Sequence, residues 1–126
     1  MISLRRFMDC HQGSTAAEFA LVLPLMLLLS IGTIAVGAMM FANTALHYAT
    51  QDSARCYAVK TSVCANADAV QDYGEGKYGG PPLDSLTFTA TAAACGRQVV
   101  GTGTFVMSTG LGDLDVDMSA TACYPA

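Results

Sequence analysis

The sequence predicts an α+β fold: one long N-terminal helix, then a short helix and a three-stranded antiparallel sheet. Three observations carry that expectation. An apolar run without charge fills residues 19–42. Helical periodicity continues past it to about residue 60, and the last third alternates apolar and polar residues between glycine-marked turns. The chain has 126 residues, the length of one small domain. Charged residues make up 13% of it, against roughly 25% in an average soluble domain, and hydrophobic residues 52%. That balance argues against a disordered chain. A net charge of −4 argues against a basic nucleic-acid footprint, so no nucleic-acid partner is expected.

The first element is the long helix. Phe19–Ala42 is 24 residues, and as a helix it would span roughly 36 Å, enough for a hydrocarbon core of about 30 Å. A buried core helix is the plain alternative, but the remaining chain is too small to wrap such a helix on all sides. The run is also longer than the 7–15 residues typical of a signal-peptide core, although Val36-Gly37-Ala38 resembles a cleavage site. Arg5 and Arg6 precede the run, which places the N-terminus in the cytoplasm and the C-terminal part outside. Pro24 lies inside the run and predicts a kink, because it lacks a backbone donor and crowds the preceding turn. Ser30, Gly32, Thr33, Gly37 and Ala38 are small residues that allow close helix approach.

Beyond Ala42 the pattern changes. Asn43, His47, Gln51 and Arg55 form a polar stripe, and Leu46, Ala49, Ser53 and Cys56 or Tyr57 mark the opposite face. Asp52 and Arg55 are three apart and suited to an ion pair. A second helix is expected over residues 64–73, ended by Gly74, with residues 74–82 as a glycine- and proline-rich loop. Tyr73 and Tyr78 are candidate contact residues there, in what is otherwise a connector. Strands are expected over 86–91, 98–107 and 113–118, joined as a meander.

The residues before the apolar run carry the functional signal. They read Gly13-Ser14-Thr15-Ala16-Ala17-Glu18-Phe19-Ala20-Leu21-Val22-Leu23-Pro24, behind a short basic leader. A carboxylate at membrane depth costs about 2.5–3.5 kcal/mol, so Glu18 either sits at the interface or has a partner. This stretch resembles the type IV pilin superfamily, and more closely the TadE-like minor pseudopilins of the tight-adherence (Flp, type IVc) pilus system. The resemblance is strong over residues 13–60 and looser beyond. It implies a pilin-like fold, cleavage by a prepilin peptidase between Gly13 and Ser14, and an assembly role for Glu18 beside Phe19. In that family the glutamate is thought to pair with the free amine of a neighbouring subunit. The implied partners are the prepilin peptidase, other pilin or pseudopilin subunits, the assembly platform and the membrane. The implied location is the bacterial inner membrane, with the outer domain in the periplasm, and then the pilus at the cell surface. The divisions that follow are a leader over residues 1–13, a membrane and assembly segment over 14–42, and an outer domain over 43–126.

Five cysteines are present. Cleavage would remove Cys10 with the leader and leave Cys56, Cys64, Cys95 and Cys123 in an oxidising compartment. Four cysteines allow three connectivities. The first and third strands of a meander run the same way, which favours Cys95–Cys123 at one end of the sheet and Cys56–Cys64 as a local loop.

Other chemistry has weaker support. Asp113, Asp115 and Asp117 are a weak candidate for calcium, and alternation puts them on one strand face, usually a solvated one. His47 has no second ligand on its stripe. Gly101-Thr102-Gly103 falls inside a strand rather than between strand and helix, so close packing accounts for it better than a nucleotide loop. No cofactor is implied. The expected function is structural rather than enzymatic: a subunit for assembling a surface-attachment pilus. The alternative is an uncleaved bitopic membrane protein with a disulfide-bonded periplasmic binding domain.

Overall fold

A computed structural model describes residues 13–108 and 112–125, with side chains from Thr15 onward. The leader through residue 12, with Arg5, Arg6 and Cys10, lies outside the described residues, as do residues 109–111 of the last turn. The elements are α1 (Gly13–Val59), α2 (Ala67–Lys77), β1 (Asp84–Ala93), β2 (Gly96–Ser108) and β3 (Asp113–Tyr124). The fold is α+β, as expected. The chain divides into two compact units, one ending at Val36 and the other beginning at Gly37.

The first unit is helical and apolar on every side. Phe19, Leu21, Leu25, Leu28, Ile31 and Ile34 are all exposed. Two of its hydroxyls are satisfied within the helix itself. Ser30 Oγ donates to the Met26 carbonyl at 2.7 Å, and Thr33 Oγ1 donates to the Ser30 carbonyl at 2.9 Å. Back-bonding of this kind lets hydroxyls sit in apolar surroundings. α1 continues through Pro24, whose ring nitrogen cannot donate to the Ala20 carbonyl.

The second unit has a one-sided helix covering a sheet. Ala42, Leu46, Ala49, Thr50, Ser53 and Ala54 of α1 are buried, while Asn43, His47, Gln51 and Arg55 are exposed. That is the three-four spacing of an amphipathic helix. The sheet has order β1-β2-β3, all antiparallel. Phe88, Val99, Phe105, Met118 and Ala120 point from it into the core.

Phe88 sits at the centre of this packing. A Cβ placed on Gly74 of α2 would lie 2.6 Å from its ring, and one placed on Gly101 of β2 would collide with the same ring and with Thr50 Oγ1. Both glycines are therefore there for close approach. This corrects the expected second helix. α2 begins at Ala67, because Asn66 Oδ1 accepts the Ala69 N–H at 2.8 Å and caps the helix. It then runs through Gly74 to Lys77, so residues 74–77 are helix rather than loop. Gly74 does not end the helix; it makes room for the aromatic ring beneath it.

β3 is longer than expected, reaching Tyr124 rather than Met118. Its extension pairs residue for residue with β2, from Ser119 opposite Thr102 to Tyr124 opposite Arg97. The inward residues of the extension are Ala120 and Ala122, too small to register as an apolar stripe in the sequence.

The expected Asp52–Arg55 pair does not form. Asp52 instead accepts a hydrogen bond from the Tyr73 hydroxyl at 2.9 Å and lies 3.7 Å from Lys77 Nζ, which ties α1 to α2. Tyr73 is thus a tether, and Tyr78 is another, donating its hydroxyl to the Pro81 carbonyl at 2.6 Å.

Candidate assembly segment

Gly13 is the first residue of α1, and Ser14, Glu18 and Phe19 follow within its first two turns. Glu18 and Phe19 are both exposed. Ser14 and Glu18 are four residues apart, about one helical turn. The peptide bond between Gly13 and Ser14 opens the helix, and Glu18 is the only charged residue of α1 before Asp52. α1 is long and apolar enough to cross a membrane, and its most apolar window is 0% buried. A soluble core helix of that composition would be covered by protein. The apolar surface left open far exceeds the patches usual on a soluble monomer.

Residues 13–55 match the family model described as TadE-like protein. The N-terminal segment is TadE-like. The match starts at Gly13, takes in Glu18, Phe19 and Pro24, and stops at Arg55, so α2 and the sheet fall outside it. No curated protein and no solved structure matches the chain significantly. The likeness to TadE-like proteins rests on this segment, whose helix has the length and composition to cross a membrane.

Outside the TadE-like segment the sequence candidates take up separate places. Cys56 and Cys64 form a buried disulfide, with Cα atoms 5.8 Å apart, that closes the end of α1 onto the turn after it. Cys95 and Cys123 form an exposed one, with Cα atoms 6.3 Å apart, from the β1–β2 turn to the end of β3. Asp113, Asp115 and Asp117 are exposed along β3, and Asp117 accepts a hydrogen bond from Thr104 Oγ1 at 2.8 Å. Among the described residues no group of three His, Cys, Asp or Glu side chains could share a metal ion. His47, within the matched segment, is exposed on the polar stripe. Gly101 and Gly103 face close neighbours in the core, Thr50 and Phe88 for the first and Leu83 for the second.

Two arrangements had no signal in the sequence. The middle of β1's outer edge is met by one side chain. Gln71 of α2 accepts the Phe88 N–H through Oε1, and its Nε2 reaches the Leu86 carbonyl at 3.4 Å. A single amide thus takes the place of a neighbouring strand. At the other edge, a groove of about 540 Å³ runs between α1 and the end of β3, with Tyr48, Ala54 and Arg55 on one wall and Ala122 and Tyr124 on the other. Asp52 lines the same groove but is engaged by Tyr73 and Lys77, so Arg55 faces it with no ion-pair partner among the described residues.

Burial raises the phenol pKa of Tyr73, and its hydrogen bond to Asp52 raises it further. Burial alone raises that of Tyr78.

Proposed function

We propose that this chain is a minor pilin or pseudopilin of a tight-adherence pilus, a structural subunit for surface attachment with no catalytic role. The observation that carries this reading is the TadE-like match, which begins at the glycine expected to be cut. In this account a prepilin peptidase hydrolyses the Gly13–Ser14 bond at the cytoplasmic face and frees an ammonium at Ser14. Glu18 of one subunit then pairs with that ammonium on a neighbour, next to Phe19. An unpaired charge at that depth is costly and a paired one is tolerated, so the pair sets axial stagger more than it adds stability. Residues 14–42 hold the subunit in the inner membrane and later in the pilus. Residues 43–126 fold in the periplasm, where both disulfides close.

Intact-mass analysis tests the reading. The mature chain should begin at Ser14 in cells with active prepilin peptidase, and a chain retaining Met1 would overturn it. Glu18→Ala should still reach the membrane but fail to enter pili. The second reading is an uncleaved bitopic protein with a periplasmic binding domain. The two disulfides and the groove beside β3 are compatible with it, and the same mass measurement separates the two.

A further inference from the structure

The two edges of the sheet are built differently. Gln71 closes β1 by occupying the Phe88 N–H and the Leu86 carbonyl. These groups point away from β2, so the Phe88–Gly101 pair exchanges no hydrogen bonds across β1 and β2. Alternation then directs the backbone of Gly101 toward Ala120, and that of Ser119, Thr121 and Cys123 outward from β3. Among the described residues no hydrogen bond from another element reaches those three positions. The edge is guarded at one end only. Asp113, Asp115 and Asp117 place charge along its first half, the usual protection of an exposed edge, and Met118–Tyr124 has none. The groove with Arg55 lies beside this uncharged half.

We propose that the open edge of β3, from Ser119 to Cys123, receives a short extended strand from a different polypeptide. That strand bonds to the outward backbone groups of Ser119, Thr121 and Cys123. It places an apolar side chain in the groove beside Tyr48 and Ala122, and a carboxylate on Arg55. Strand addition of this kind draws affinity from main-chain bonds and selectivity from side-chain pockets. The Cys95–Cys123 disulfide fixes the receiving strand in advance, which lowers the cost of ordering it.

A second copy of this chain fits poorly in two of the three pairings. β3 against the β1 edge of another copy meets Gln71. β3 parallel to its own copy stacks the aspartates on each other, an unfavourable like-charge ladder. β3 antiparallel to its own copy is the pairing that an adduct with a second copy would report.

Photo-crosslinking in the cells that produce the full chain tests this. A benzophenone amino acid at Thr121 should give an adduct with another protein, and the same group at Thr91 on the sheet's other edge strand should not. The attached peptide, sequenced by mass spectrometry, should carry an acidic residue within two positions of the crosslink. Thr121→Pro removes one outward donor that β2 does not use, and proline is tolerated on an edge strand. With the crosslinker at Ser119, Thr121→Pro should abolish the adduct while both disulfides still form. Arg55→Glu should lower its yield by about tenfold, through like-charge repulsion. No adduct, an adduct with a second copy, or an adduct indifferent to both variants would overturn the proposal. Intact mass at Ser14, read on the same samples, shows separately whether the pseudopilin reading holds.

Discussion

The two stretches of α1 obey different rules although they belong to one helix. From Thr15 to Ile34 every described side chain is exposed, and Leu28 is 70% accessible. From Ala42 to Cys56 one face is shut, and Leu46 is 0% accessible. The first stretch satisfies its hydroxyls within its own turns; the second uses Asp52, Tyr57 and Thr50 to reach α2 and the sheet. The side chains of the first stretch are exposed, so the removal of one is expected to be felt in the membrane or in an assembly. A side chain in the second stretch is felt in folding.

Substitutions can break or sharpen that contrast. The largest effect is expected at Phe88, held between Gly74, Gly101 and Thr50. Phe88→Ala should lower the stability of the outer unit by about 3–5 kcal/mol in denaturant melts. Leu28→Ala, deleting a side chain of comparable apolarity, should leave the same melt unchanged; an equal loss would erase the distinction between the stretches. Gly101→Ala should cost about 1–3 kcal/mol, since the added methyl meets Thr50 and the Phe88 ring. Retained stability there would mean that α1 packs more loosely on the sheet than described.

Smaller effects localise the boundary further. Asn66→Ala removes the cap of α2 and should cost about 1 kcal/mol, seen as faster amide exchange in the first turn of α2. Alkaline pH gives the last comparison. The folded-state pKa values of Tyr73 and Tyr78 lie above the ordinary value, so the folded form holds these protons longer than the unfolded form. Their contribution is complete below the ordinary phenol value near 10 and is lost as pH rises through the raised one. Melts should therefore weaken above that value, and the double variant Tyr73→Phe with Tyr78→Phe should flatten the dependence.

Much of the fold was legible because it rests on local pattern. The apolar run, the polar stripe from Asn43 to Arg55 and the alternating strands each follow from a period. The errors fall where a tertiary contact overrides a local signal. Gly74 reads as a helix stop until Phe88 is placed beneath it. Ala120 and Ala122 read as neutral until α1 is laid close over β3. Asp52 and Arg55 read as a pair until Tyr73 and Lys77 arrive from another element. The candidate segment was legible because Gly13, Glu18 and Phe19 lie within two turns of one helix. The covered and open sheet edges were not, since Gln71 lies 17 residues from the amide it binds and Arg55 lies far in sequence from β3.

The Gln71 amide also limits what can be built from this sheet. A sheet with two open edges can propagate, each added strand presenting a fresh edge to the next chain. Here the middle of one side is occupied from within by a side chain that no separate molecule has to supply. A strand adding along β1 would have to displace Gln71 at Leu86 and Phe88, whereas one adding along β3 from Ser119 to Cys123 would displace no side chain.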